Sequence, residues 1–161
     1  MVNLTARIFD IQRFCLFDGE GIRTTVFFKG CPLRCLWCCN PESQNVFKEL
    51  LIKDFNGCKD CLKCEKACEK GVLKAGGGVQ TVSEGCDFCG ECEKVCAFEK
   101  IKVAGKDYTV EEVIEIILKD REYYKNSSGG VTLSGGEVLS QADFAEELIK
   151  RLKKENVNVV I

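Results

Sequence analysis

Val131-Thr132-Leu133-Ser134-Gly135-Gly136-Glu137 decides the architecture of this chain. Val131–Ser134 is a short β-type run, and Gly135-Gly136-Glu137 is a loop directly after it. Helical patterns stand on both sides. Upstream, Thr109-Val110-Glu111-Glu112 is a capping box, and Val110, Val113, Ile114 and Ile117 then share one face at helical spacing. This helix is predicted to run until Ser127-Ser128-Gly129-Gly130 breaks it. Downstream, a helix of about residues 141–154 is predicted to start from a Ser140 cap and to bury Phe144, Leu148 and Leu152. Residues 157–161 form a further β-type run. Strand, helix and strand with short links predict a parallel pair joined by a right-handed crossover, hence an α/β fold. Sheets of this kind bind ligands at the carboxyl ends of their strands, where Gly-Gly-Glu falls. A plain turn ahead of a helix is the competing explanation of the same three residues.

Working outward, the chain divides into three pieces. Residues 1–47 read as a strand (6–12), the turn Asp18-Gly19-Glu20-Gly21, and a second strand over Thr24–Phe28, ended by a Gly30-Cys31-Pro32 loop. Residues 48–105 hold eight of the 13 Cys, together with many Lys and Glu and the spacer Gly76-Gly77-Gly78. Residues 106–161 carry the strand–helix–strand pattern. Parallel sheets ordinarily continue for several strands, so the 157–161 run is expected to belong to the first portion of a larger barrel.

Composition narrows the chemistry. The 161 residues are 45% apolar and 30% charged, enough to form a core. A net charge of −2 gives no reason to expect nucleic acid or a membrane surface as partner. The absence of His removes His-based hydrolysis and His-ligated zinc. Neither a secretory leader nor an apolar run of membrane length is visible, so a reducing, cytoplasmic setting is expected, where thiols stay free for metals.

Two cysteine patterns follow. Cys58-x2-Cys61-x2-Cys64-x3-Cys68 repeats as Cys86-x2-Cys89-x2-Cys92-x3-Cys96. The spacing matches the bacterial two-cluster ferredoxin run, in which the fourth Cys of each run serves the other cluster. This pairs Cys58, Cys61 and Cys64 with Cys96, and Cys86, Cys89 and Cys92 with Cys68, around two [4Fe–4S] clusters. Two four-thiolate zinc sites are the alternative. The usual Pro after the fourth Cys is Glu69 in one run and Ala97 in the other. The second pattern, Cys31-Pro32-Leu33-Arg34-Cys35-Leu36-Trp37-Cys38, places three thiolates on one loop. Three ligands on a four-iron cube leave one iron open, the condition that separates catalytic from structural metal sites. Cys15 reads as an ordinary semi-buried thiol, and Cys39 as a spare thiol beside the loop.

In this order the motifs resemble the radical S-adenosylmethionine (SAM) superfamily. Within it they resemble the glycyl-radical-enzyme activating enzymes of the pyruvate formate-lyase activating type. Asp10-Ile-Gln-Arg-Phe14, Gly21-Ile-Arg-Thr-Thr-Val-Phe27, the Cys31–Cys38 loop and Asn40-Pro-Glu-Ser43 carry the resemblance, which covers nearly the whole chain. It implies a partial radical SAM (β/α) barrel with an inserted two-cluster ferredoxin-like domain. It implies three [4Fe–4S] clusters, the one at Cys31, Cys35 and Cys38 binding SAM through its open iron. Gly135, Gly136 and Glu137 would hold the methionine end of SAM, and Trp37, Cys38 and Cys39 would lie toward the adenine. Core packing is the plainer role for Trp37. The implied reaction is reductive cleavage of SAM to a 5′-deoxyadenosyl radical, which takes hydrogen from a Gly of a glycyl radical enzyme. An electron donor such as flavodoxin or ferredoxin would supply the electron. The insert clusters would be electron relays, or staples of a segment too small for its own core. Three departures stand out: Phe17 and Cys39 where the family has His, and Val138 where Pro is common. A ferredoxin-like electron carrier, a non-catalytic iron–sulfur fragment and, more distantly, a sulfatase-maturing enzyme are the alternatives.

Overall fold

The computed structural model describes residues 4–53, 58–76, 79–82 and 84–161. They divide into two compact units, Met1–Phe47 with Gly105–Ile161, and Lys48–Ala104. The spacer residues Gly77 and Gly78 lie outside the described residues.

The larger unit is built on a five-stranded sheet. Its strands are β1 (Thr5–Cys15) and β2 (Arg23–Phe28), then β7 (Lys106–Thr109), β8 (Gly130–Gly135) and β9 (Asn158–Val160). The order is β7-β1-β2-β8-β9. β1 pairs antiparallel with β2 and β7, whereas β2, β8 and β9 are mutually parallel. The helices α3 (Val110–Leu118), α4 (Arg121–Ser127) and α5 (Ala142–Lys154) connect β7 to β8 and β8 to β9. The core joins Ile8, Val26, Phe28, Val131 and Leu133 of the strands to Val113, Ile117, Phe144, Leu148 and Leu152 of the helices. Phe28 and Phe144 meet edge-to-face with centroids 6.1 Å apart. Each such side chain contributes about 1.5–3 kcal/mol by leaving water.

The capping box at Thr109 forms as expected, Glu112 N–H donating to Thr109 Oγ1 at 3.2 Å and Thr109 N–H to Glu112 Oε2 at 2.8 Å. The helix that follows is shorter than its pattern suggested. It stops at Leu118, and in the break the buried Asp120 carboxylate accepts from Arg13 Nε at 2.7 Å and Thr24 Oγ1 at 3.1 Å instead of capping α4. The chain restarts as α4. Ser140 does not cap α5. It lies in a 3-10 turn, Val138–Gln141, whose capping oxygen is Glu137 Oε1, accepting from Leu139 N–H at 3.0 Å.

The face of β2 and β8 opposite the helices is polar and covered by the Asp18–Gly21 turn. Thr25 Oγ1 donates to Asp18 Oδ2 at 2.6 Å, and Thr132 Oγ1 to the Asp18 carbonyl at 2.6 Å. The buried Arg23 guanidinium reaches Thr132 Oγ1, the Val131 and Glu20 carbonyls and Asn158 Oδ1, all within 2.6–3.0 Å. These bonds account for a strand whose burial is nearly continuous despite its Arg and two Thr.

The smaller unit holds β3 (Glu49–Ile52) paired with β6 (Ile101–Ala104), and β4 (Leu73–Ala75) paired with β5 (Val79–Val82), all antiparallel. Two one-turn helices, α1 (Lys63–Lys66) and α2 (Glu91–Lys94), carry the third Cys of each run. The Cys repeat extends to the backbone: positive φ recurs at Asp60 and Phe88, Leu62 and Gly90, Gly71 and Glu99. Among the described residues its buried core is Cys64, Leu73, Val79 and Ile101, little apolar burial for a segment without staples. Among the described residues no helix is long and apolar enough to cross a membrane.

Candidate metal centres

The first centre is built at the carboxyl end of β2. Phe28 and Lys29 are fully buried, and Gly30 turns the chain outward with φ 106°. The loop from Cys31 to Asn40 is clamped at its base. Gly30 N–H donates to the Ser43 carbonyl at 2.7 Å, Cys31 N–H to the Gln44 carbonyl at 3.0 Å, and Lys29 Nζ to the Glu42 carbonyl at 2.5 Å. The 3-10 turn Pro41–Ser43 presents these acceptors, stiffened by Ser43 Oγ donating to the Asn40 carbonyl at 2.6 Å. Within the loop Cys38 N–H donates to the Cys35 carbonyl at 3.2 Å, and Arg34 Nη1 to the Cys31 carbonyl at 2.7 Å. Cys31 and Cys38 are half-buried and Cys35 is exposed, all three as free thiols. Cys31 lies in the wall of an open groove of about 670 Å³ with Pro32, Arg34, Pro41, Phe47 and Ser140. Trp37 is 81% exposed.

The Gly135-Gly136-Glu137 loop meets the same strand end. Gly136 N–H donates to the Phe28 carbonyl at 2.7 Å and Glu137 N–H to the Gly30 carbonyl at 2.9 Å. A Cβ on Gly135 would stand 2.5 Å from Phe28 N, and one on Gly136 2.5 Å from the Gly30 oxygen. Both glycines are therefore required by backbone approach, and the approach brings the loop to within one residue of Cys31. Gln141 adds a strap: its Nε2 donates to the Arg7 and Lys29 carbonyls at 2.9 and 3.1 Å, and its Oε1 accepts from Arg7 N–H at 2.7 Å. Nothing in the sequence flags Gln141 or Lys29, since their roles depend on main-chain atoms remote along the chain.

The smaller unit contains two thiol cavities. Cys58, Cys61, Cys64 and Cys96 line one. Cys68, Cys86, Cys89 and Cys92 line the other, of about 310 Å³. The fourth Cys of each run thus stands with the first three of the other. Burial pushes the Cys64 thiol up, with a further contribution from Cys58 and Cys96, and pushes Cys92 up to about 11, with Cys89 and Cys86 contributing. Burial is also the largest single influence on Cys68, yet the N–H groups of Leu73, Val72, Lys70 and Gly71 together outweigh it and bring its pKa below the ordinary thiol value. Among the described residues no three Cys, Asp or Glu side chains close on a point that would hold a single metal ion. Four thiols around each cavity are the donor chemistry of an iron–sulfur cluster, which spreads its ligands wider than one ion does.

Each run carries a brace that the sequence contains but does not announce. The residue after the third Cys is Glu65 in one and Glu93 in the other. Glu65 Oε2 accepts from Ala75 N–H at 2.9 Å, and Glu93 Oε2 from Val103 N–H at 3.0 Å. Their identical offset within the repeat is the signal that would have found them.

Comparison with known proteins places this architecture. A family model described as a 4Fe-4S single cluster domain matches residues 17–161, and the chain belongs to that family. Its relatives include the choline trimethylamine-lyase activating enzyme of Oleidesulfovibrio alaskensis, 43% identical over 100% of this chain and 53% of the relative. The trans-4-hydroxy-L-proline dehydratase activating enzyme of Clostridioides difficile is 42% identical over 96% of this chain and 51% of the relative. The pyruvate formate-lyase 2-activating enzyme of Escherichia coli is 40% identical over 97% of this chain and 44% of the relative. These relatives bear out the resemblance to radical SAM activating enzymes drawn from the Cys31–Cys38 loop and Gly-Gly-Glu. The chain spans about half the length of the curated relatives it matches.

Proposed function

We propose that this chain performs the SAM- and cluster-binding work of a glycyl-radical-enzyme activating enzyme. Residues 1–47 and 106–161 form part of a radical SAM (β/α) barrel, and residues 48–105 form a ferredoxin-like insert. The observation that carries the proposal is the pair of bonds from Gly136 and Glu137 to the Phe28 and Gly30 carbonyls. They bring the Gly-Gly-Glu loop and the three-thiol loop to one end of the parallel strands, where α/β sheets bind ligands.

The residues divide the work as follows. Cys31, Cys35 and Cys38 would hold one [4Fe–4S] cluster, leaving it able to bind SAM. Cys58, Cys61, Cys64 and Cys96 hold a second, and Cys68, Cys86, Cys89 and Cys92 a third. When bound, the first cluster would supply the electron for reductive cleavage of SAM, the radical chemistry that acts on a Gly of the partner enzyme. Gly135, Gly136 and Glu137 hold the methionine end through backbone groups kept close to Gly30. The exposed Trp37 and Cys39, with the half-buried Cys38 between them, would lie toward the adenine. Lys29, Ser43 and Gln141 keep the two loops in register. A flavodoxin or ferredoxin supplies electrons. Similarity over at least 96% of the chain, and not over the insert alone, favours this reading over a simple electron carrier.

The test is anaerobic reconstitution followed by iron analysis and a SAM-cleavage assay. About 12 irons per chain are expected from three four-iron clusters. Cys35→Ala should abolish 5′-deoxyadenosine release and leave the two insert signals in place. Unchanged release by that variant would overturn the assignment.

A further inference from the structure

We infer that the two thiol cavities of the Lys48–Ala104 unit are electrically unequal, and that the one walled by Cys58, Cys61, Cys64 and Cys96 holds the more easily reduced cluster. The inference rests on the two-cluster reading above and goes beyond it by ranking the pair.

The ranking follows from what stands at matching steps of the repeat. Lys59 and Lys63 occupy the positions of Asp87 and Glu91 in the second run. Among the described residues the first cavity is lined by Lys59, Lys63 and Lys100 and by no carboxylate. The second is lined by Glu69, Asp87 and Glu91, with Lys70 as its cation. Adjacent charges reduce the contrast without removing it. The Cys58 thiol donates to Asp60 Oδ1 at 3.8 Å beside the first cavity. Lys70 pairs with Asp87 at 3.3 Å and Lys94 with Glu91 at 2.6 Å beside the second. At the two matching steps of the repeat, two lysines in the first run thus stand where the second run has two carboxylates.

Reducing a cluster adds one negative charge. Cationic walls favour that charge and anionic walls oppose it, and net charge is among the main determinants of cluster potential. Hydrogen bonding to sulfur, another determinant, runs the other way at one ligand: Lys100 N–H donates to Cys96 Sγ at 3.3 Å in the first cavity, whereas the N–H groups of Leu73, Val72, Lys70 and Gly71 all act on Cys68 in the second. That effect sits on a single thiolate, while the charge contrast runs along the wall of each cavity and outweighs it.

At half reduction one electron, supplied by a one-electron reductant such as dithionite, resides in the lysine-lined cavity while the acidic one stays oxidised. No bond forms or breaks and no proton need move. A preference of at least tenfold is expected, about 59 mV for a one-electron couple.

The test uses the full chain reconstituted with iron and sulfide, with Cys31, Cys35 and Cys38 replaced by Ala to silence the first centre. Iron analysis comes first, and about eight irons are expected. A count near four, or zinc in their place, would overturn the two-cluster reading and the ranking with it. With eight irons present, a redox titration followed by electron paramagnetic resonance should resolve two midpoints. Lys59→Gln with Lys63→Gln should lower the upper midpoint alone, and Asp87→Asn with Glu91→Gln should raise the lower one alone. Coincident midpoints, or movement of the lower midpoint by the lysine variants, would overturn the ranking and leave the two clusters standing. Should the triple Ala variant fail to fold, the same substitutions are read in the unsubstituted chain. There the first-centre signal is recognised by its change on adding SAM.

Discussion

Glu137 N–H donates to the Gly30 carbonyl oxygen at 2.9 Å, so the last residue of the Gly-Gly-Glu loop is bonded to the residue that precedes Cys31, the first thiol of the three-Cys loop. Two loops far apart in sequence thereby share one anchor. The anchor depends on close backbone approach, because Gly136 packs directly on the Gly30 oxygen.

Gly136→Ala tests that anchor. Its Cβ would stand 2.5 Å from the Gly30 oxygen, a contact that only backbone movement relieves. The expected outcome is at least a tenfold loss of SAM affinity, read by equilibrium dialysis, with a lower melting temperature. Because Gly30 also bonds Ser43, the strain should reach the cluster loop, and iron retained at Cys31, Cys35 and Cys38 should fall too.

A second prediction concerns Asp120. Its carboxylate is buried and bonded to Arg13 Nε and Thr24 Oγ1, and Thr24 in turn meets Tyr124 OH at 2.5 Å. Arg13 holds the Asp120 pKa below its ordinary 3.8, against the opposing effect of burial. A depressed carboxylate stabilises the fold in full above its unfolded pKa and loses that contribution as pH falls through its folded one. The wild-type melting temperature should therefore drop as pH is taken below 3.8, and Asp120→Asn should flatten that dependence. Asp120→Ala should cost about 1.5–3 kcal/mol, the range for hydrogen bonds to a charged group, measured by denaturant unfolding at pH 7.

The third prediction concerns the repeated braces. Glu65→Ala and Glu93→Ala should each hasten iron loss from the reconstituted insert to a chelator, since Ala75 N–H and Val103 N–H lose their acceptors. Gln at either position retains an acceptor oxygen and should restore most of the resistance. Equal chelation rates for the Ala variants and the wild type would show that the braces do not support the sites.

Much of this was legible residue by residue. The Thr109 capping box, the apolar face of Val113 and Ile117 and the β-type run at Val131 are local patterns, and the structure forms them as written. The end of α3 at Leu118 was not legible. Asp120, in the break, is held by partners on β1 and β2, about a hundred residues away. Ser140 looked like a cap by type, yet Glu137 takes that role because Val138–Gln141 forms a turn of its own.

The amino-acid sequence alone determined the donor chemistry: which thiols exist, their spacing in two runs and one loop, and the element pattern of an α/β unit. Those properties are carried by covalent order and short-range periodicity. Only the tertiary structure decided that Gly-Gly-Glu reaches Gly30 and that Gln141 straps Arg7 to Lys29. Such arrangements depend on backbone groups meeting across sequence-distant segments, and only the folded chain creates those meetings.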